Sequence, residues 1–226
     1  MSPISPIIIK VCGMRDAENI REVEQLFTHH SSLFIFLMGF IFWPKSSRYV
    51  SERPSYLPSN CKRVGVFVDA TIDDICQHYA DYALDYIQLH GHETPDYIRA
   101  LRVVNGFPVS TRLIKAFNIA TVEDLVQTKP YEGLVDYFLF DTKGKSVGGN
   151  GTQFDWSILA DYTGNTPFLL SGGIGPDDAE HLCALRALEG FPIEKCAGID
   201  LNSRFELAPG LKDTTALQKI LNALNR

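Results

Sequence analysis

The chain has 226 residues, 45% apolar and 21% charged, the profile of one compact globular domain, which excludes a disordered or collagen-like polymer. Its formal net charge of −6 sets the overall field against nucleic acid and anionic membranes, so an anionic ligand must be captured locally. Five cysteines, at positions 12, 61, 76, 183 and 196, are odd in number and lack CxxC spacing, which argues against a disulfide framework or structural zinc and predicts free thiols.

In chain order, Met1 to Pro6 has no basic region ahead of its apolar stretch and no small-residue cleavage site, which predicts no secretory signal and a cytoplasmic protein. Short β-branched or aromatic runs then alternate with helical spacing about every 28 residues, eight units in the length of the chain. The predicted strands are Ile7–Cys12, Leu33–Met38, Arg63–Val68, Tyr86–Leu89, Arg112–Ala116, Tyr137–Phe140, Phe168–Leu170 and Ala197–Asp200. Most are almost continuously apolar, as expected of a parallel sheet covered on both faces. The longest apolar run, Leu33 to Trp43, has eleven residues, too few for a membrane helix.

Between the strands, Asp16 precedes a stripe of Ile20, Val23 and Phe27, and Thr71 with Asp74 precedes Ile72, Ile75 and Tyr79. Thr94-Pro95 and Gly175-Pro176 place proline where a first helical turn tolerates it. Asp213 opens a closing helix with Leu217, Ile220, Leu221 and Leu224. The second unit is the exception, because Ser51 to Asn60 holds Pro54 and Pro58 without an apolar stripe, and predicts a short or absent helix. No linker, low-complexity tract or repeat divides the chain. The pattern predicts a TIM-type (β/α)8 barrel as one domain over residues 1–226, with a doubly wound open sheet as the alternative.

In such a barrel the chemistry sits at the carboxyl ends of the strands. The first ends in Lys10-Val11-Cys12-Gly13, where Lys10 and Cys12 share strand parity and the ammonium would favour a thiolate; the alternative is a small buried thiol. After the second, Pro44-Lys45-Ser46-Ser47-Arg48 presents Arg48, whose planar fork suits a carboxylate, though a solvated loop arginine reads the same way. After the fourth, His90-Gly91-His92 lacks matching metal ligands at other strand ends, so His90 is read as a polar contact facing the cavity. Asp141 follows three apolar residues, so partial desolvation would raise its carboxyl pKa and suit it to general-acid work. The glycines of 144–151 form either a mobile loop over the cavity or a plain connector. Ser171-Gly172-Gly173 and Gly198-Ile199-Asp200-Leu201-Asn202-Ser203 offer backbone N–H groups to an oxyanion, with ordinary glycine turns as the alternative.

Together these motifs resemble the phosphoribosylanthranilate isomerases of tryptophan biosynthesis, nearly end to end. The resemblance is carried by Lys10-Val11-Cys12-Gly13, Gly39–Val50, Val64-Gly65-Val66-Phe67, Gln88-Leu89-His90-Gly91, Ile114-Lys115-Ala116, Phe140-Asp141-Thr142, Gly148-Gly149-Asn150-Gly151 with Phe154-Asp155-Trp156, Ser171-Gly172-Gly173 and Gly198-Ile199-Asp200. It implies a TIM barrel that performs an Amadori rearrangement of N-(5-phosphoribosyl)anthranilate without cofactor or metal. It also implies Asp141 as general acid, Cys12 as general base, Arg48 on the anthranilate carboxylate and His90 lining that side. Gly172, Gly173, Asp200, Asn202 and Ser203 would fall at the phosphate site. A thiol base needs a depressed pKa, expected in the free enzyme or in the complex, for which Lys10 and the phosphate-loop dipoles are candidate causes. One departure is Leu201-Asn202-Ser203-Arg204-Phe205-Glu206, where many family members carry small residues and glycine. Arg204 there is either a further phosphate contact or half of a surface ion pair.

The substrate is thus expected to be a small phosphosugar, with no nucleic acid or membrane partner and a monomer favoured. A related isomerase of histidine biosynthesis would need a second phosphate cradle, which Asp69-Ala70-Thr71 and His90-Gly91-His92 do not supply. A regulatory phosphosugar-binding barrel would need neither Cys12 nor Asp141. A thiol sensor would need a resolving cysteine near Cys12.

Overall fold

The structure is a computed structural model that describes residues 7–30, 34–104, 107–108, 110–142 and 156–225. Eight parallel strands close into a barrel in chain order: β1 (Ile7–Cys12), β2 (Phe34–Ile41), β3 (Lys62–Phe67), β4 (Tyr86–Leu89), β5 (Arg112–Ile119), β6 (Tyr137–Thr142), β7 (Phe168–Leu170) and β8 (Cys196–Leu201). All eight predicted strands are present, and several run two or three residues further than their apolar runs suggested. β1 pairs with β8 from Ile8 against Gly198 to Val11 against Leu201, which excludes the open sheet. That seam needs glycine at 198, because a Cβ there would lie 1.9 Å from the Ile8 carbonyl oxygen.

Alternation along each strand feeds two cores. Ile8 and Cys12 of β1 pack inside the barrel with Leu37, Val64, Val66, Ile114, Leu139 and Leu169. Ile9 and Val11 face outward into the layer shared with the helices, among Phe27, Phe36, Ile87 and Phe140. Burial on both faces explains the continuous apolar runs.

Among the described residues the outer layer has five α-helices: α1 (Ala17–His30), α2 (Ile72–Tyr82), α3 (Pro95–Val103), α4 (Ala179–Arg186) and α5 (Thr214–Leu224). Thr71, Thr94 and Asp213 cap α2, α3 and α5 through their side chains, as their sequence signals predict. After β5 and β6 the covering segments are 3-10 helices, Val122–Tyr131 and Trp156–Asp161, the first with Pro130 inside it. Gly175-Pro176 does not open a helix. Asp178 accepts from the Gly175 N–H at 2.6 Å, closing a turn, and α4 starts only at Ala179.

No helix lies between β2 and β3, as expected. Buried Pro54 and Pro58 help cover that side, and Glu24 of α1 holds the loop by accepting from the Ser59 and Asn60 N–H groups at 2.6 and 2.5 Å. The sequence pattern missed a short hairpin, β9 (Glu206–Ala208) and β10 (Leu211–Lys212). The glycine loop of 144–151, the Phe154-Asp155 pair, Met1 to Pro6 and Leu33 lie outside the described residues. No helix among the described residues is long and apolar enough to cross a membrane.

Candidate active site

A cavity of about 150 Å³ opens at the carboxyl ends of the strands. It is lined by Cys12 from β1, Val66 from β3, Gln88 and His90 from β4 and just beyond it, and Asp141 from β6. Ser171, Gly172 and Gly173 after β7, and Asp200, Asn202 and Ser203 of β8 and its loop, complete it. A larger cavity of about 560 Å³ lies around the amino ends of the strands, with a lining dominated by residues such as Ile7, Ile35 and Tyr137. The smaller cavity holds the converging polar groups and so has the character of a site.

Lys10 stands opposite Asp200 across the β1–β8 seam, and its Nζ donates to Asp200 Oδ1 at 2.8 Å. Both side chains are buried, at 0% and 6% exposure. Ser171 Oγ donates to the other carboxylate oxygen at 3.5 Å. Burial works against the Lys10 charge, but Asp200 and Cys12 more than offset it, so the ammonium is held. For Cys12 in the free protein the balance is opposite to the effect of Lys10 alone. Burial pushes its thiol up, Lys10 opposes this, and the Asp200 charge adds to the rise. The lysine that would have activated the thiol already has a partner, and the thiol is buried.

Cys12 has room at the mouth because Gly39 stands beside it. A Cβ at 39 would meet its Sγ at 3.0 Å and its Cα at 3.2 Å.

Asp141 is the fifth residue of β6, and its side chain remains 29% exposed, accessible to a ligand. His90 Nε2 stands 3.7 Å from Asp141 Oδ2. Its Nδ1 accepts from the Gln88 amide at 2.9 Å, which leaves the ring proton on Nε2, on the Asp141 side. Burial, with Lys10 adding to it, lowers the His90 pKa to about 4, so the ring is neutral at pH 7. Gln88, to which the sequence pattern gave no role, is buried, and its Oε1 has no hydrogen-bond partner among the described residues. His92 faces elsewhere, 3.1 Å from Asp69 Oδ2. Among the described residues no group of three or more His, Cys, Asp or Glu side chains is placed to hold a metal ion.

Gly172 and Gly173 have φ of +81° and +73°, left-handed backbone that glycine adopts without strain. Arg204 binds the Gly173 carbonyl at 2.7 Å and approaches Asp178 at 3.4 Å, tying the loops after β7 and β8 together. The ion-pair reading of Arg204 is the one observed. Asp200, grouped with the phosphate site by resemblance, lines the cavity with its carboxylate accepting from Lys10, and an ionised carboxylate has no proton to donate to an anion.

Arg48 does not line the cavity. Its stem lies against Gly13, where a Cβ would come within 2.7 Å of the arginine Cδ. Its guanidinium is paired with Glu206, Nε donating at 2.9 and 3.0 Å and Nη2 at 2.6 Å. Glu206 also accepts from Lys212 Nζ at 2.7 Å and from the Gly210 N–H at 3.0 Å. The sequence reading missed both Glu206 and Lys212. Only the Pro209-Gly210 turn dipeptide could have signalled their hairpin.

The fold and these strand ends define a (β/α)8-barrel enzyme with acid–base groups and a glycine-lined loop at one mouth. The profile of the family described as N-(5'phosphoribosyl)anthranilate (PRA) isomerase matches residues 9–223. An N-(5'-phosphoribosyl)anthranilate isomerase of Phocaeicola vulgatus is 48% identical over 220 residues, covering 97% of this chain and 98% of its own. The crystal structure of phosphoribosyl anthranilate isomerase from Thermotoga maritima superposes with a TM-score of 0.76 at 25% identity, over 97% of this chain and 98% of that one. Another solved phosphoribosyl anthranilate isomerase, in complex with reduced 1-(o-carboxyphenylamino)-1-deoxyribulose 5-phosphate, gives 0.72 at 23% identity and the same coverage. The chain belongs to the N-(5'-phosphoribosyl)anthranilate isomerase family, and is thereby an isomerase of tryptophan biosynthesis.

Proposed function

We propose that the chain isomerises N-(5'-phosphoribosyl)anthranilate by an Amadori rearrangement in which Asp141 is the acid and Cys12 the base. The observation that carries this reading is that both side chains line one cavity, from β6 and β1, with the Gly172-Gly173 loop after β7 and the Asn202-Ser203 loop after β8 between them. Asp141 gives its proton to the furanose ring oxygen, the C1–O bond breaks, and the anthranilate nitrogen takes up iminium character. Cys12 then removes the proton from C2, and the electron pair flows to the iminium to give an enolamine. Tautomerisation of the enolamine yields the 1-(2-carboxyphenylamino)-1-deoxyribulose 5-phosphate product.

In the free protein Cys12 is held as a thiol by burial. The first step brings a cationic nitrogen to the cavity, and a nearby positive charge lowers a thiol pKa. Protonation of the ring oxygen therefore prepares the base for the second step. The Nε2–H of neutral His90 faces the carboxylate that Asp141 becomes once it has given up its proton. Backbone groups of Gly172, Gly173, Asn202 and Ser203 hold the 5'-phosphate, Arg48 takes the anthranilate carboxylate, and Asp200 acts through Lys10. The reaction balances with proton transfers alone, so the reading includes no cofactor or metal. It places the chain as one domain, a monomer in the cytoplasm, with sedimentation equilibrium to check the monomer.

The test follows the loss of substrate fluorescence, with substrate formed in situ, for wild type, Cys12→Ser and Asp141→Asn. Turnover by wild type with both variants inactive, yet still binding a product analogue, supports the acid–base pair. Turnover that survives Cys12→Ser removes the thiol from the mechanism.

A further inference from the structure

We propose that Glu206 is the positioning residue for Arg48, holding the guanidinium by one edge so that its other edge faces the substrate's aromatic carboxylate. The inference rests on the assignment of Arg48 to that carboxylate made above.

Guanidinium carries five N–H donors in a rigid plane. Glu206 takes the Nε–H and one Nη2–H, which leaves both protons of Nη1 and one of Nη2. Those remaining protons form a second fork, matched in spacing to a carboxylate. Among the described residues none accepts from Nη1. The arginine is thus half-used, in a geometry that accommodates a second carboxylate without releasing the first.

Glu206 is built to stay in place. Its side chain is 5% exposed, and Lys212 Nζ and the Gly210 N–H hold it from the hairpin of β9 and β10. Lys212 is anchored in turn, its backbone exchanging hydrogen bonds with the Asn19 side chain of α1 at 2.7 and 2.9 Å. Its Nζ also donates to Asn202 Oδ1 at 2.9 Å, so the same hairpin braces the loop assigned to the phosphate.

The charges point the same way. Burial opposes the negative charge of Glu206, but Arg48 and Lys212 hold its carboxyl below the ordinary range, so two cations surround one anion. The cluster keeps one positive charge in excess, which suits an incoming anion. A long arginine fixed before binding also loses less rotamer freedom when the substrate arrives.

The experiment compares two reduced product analogues by calorimetry, one with the ortho-carboxylate on its phenylamino ring and one without. Wild type is expected to prefer the carboxylated analogue at least about tenfold, and Arg48→Gln to lose that preference. Glu206→Gln is expected to reduce the preference about three- to tenfold, and to raise KM by a similar factor with kcat within about twofold, the signature of lost uniform binding. Full or increased preference in Glu206→Gln, where Arg48→Gln has lost it, overturns the positioning role alone. No preference in wild type, or preference retained in Arg48→Gln, overturns the assignment of Arg48 itself and the inference with it. Glu206→Asp keeps the charge beside Lys212 but withdraws the fork by one methylene. It is held to the same criterion should the glutamine variant fail to fold.

Discussion

Replacing Lys10 by methionine keeps the length of the side chain and removes its charge from a site where both partners are sealed from water. Asp200 is then left without its cation. A buried carboxylate in that position takes up a proton rather than remain charged, so the cost at pH 7 is bounded by the work of protonating it. From an unfolded-state value near 3.9, that is about three pH units at about 1.4 kcal/mol each, or about 4 kcal/mol. This falls within the roughly 3–5 kcal/mol typical of breaking a buried pair from one side. The sign with pH follows. In the folded variant Asp200 holds a proton that the unfolded chain releases above pH about 4, so the penalty grows as pH rises and shrinks as it falls. Urea denaturation of Lys10→Met at pH 7 should show a loss of about 4 kcal/mol, falling to about 1.5 kcal/mol at pH 5. The double variant Lys10→Met/Asp200→Asn should recover most of that loss at pH 7. A loss below about 1 kcal/mol at pH 7, or one unchanged between pH 5 and 7, would refute the reasoning.

Because burial raises the Cys12 thiol pKa in the free protein, its alkylation rate by iodoacetamide should climb with pH without levelling off through pH 8.5. A plateau near pH 7 would show an activated thiolate instead. His90, lowered to about 4, should give imidazole NMR signals that stay neutral from pH 8 down to 5; a midpoint near 6.5 would place the ring in water. Gly198→Ala drives a Cβ into the Ile8 carbonyl oxygen, 1.9 Å away, and should destabilise the closed barrel by at least about 3 kcal/mol in urea. A variant as stable as wild type would mean that the seam is looser than described.

The strands were legible because burial on two faces writes itself as a continuous apolar run, and that signal needs no knowledge of neighbours. The helices of the fifth and sixth units were less so. Pro130 near the end of Val122–Tyr131 accompanies the tighter 3-10 winding, and the helical spacing there did not distinguish the two. Cys12 shows most clearly what local reading cannot see. Lys10 is two residues away and visible, but the carboxylate that engages it is 190 residues further along, as is much of the wall that buries the thiol. Arg48 shows the same limit. Its fork could be read from residue type, but not the Glu206 carboxylate, 158 residues distant, that already fills half of it.

Both unseen pairings have one physical origin, and it bears on how an acidic protein captures an anion. A parallel barrel brings its strand ends together only on closure, so each cation contributed early in the chain, Lys10 and Arg48, meets a carboxylate contributed late, Asp200 and Glu206. Four charges cancel in two pairs, and among the described residues of this cluster the cation in excess is Lys212, held by Glu206 and Asn202. These five side chains carry a single positive charge in excess, which fits a site whose affinity for phosphate comes mainly from backbone N–H groups of the loops after β7 and β8. On this account calorimetry with inorganic phosphate should give a binding constant that weakens less than tenfold between 50 and 200 mM salt, roughly as expected when few cations are released. A drop of about a hundredfold would move the anion from the backbone to the surface cations.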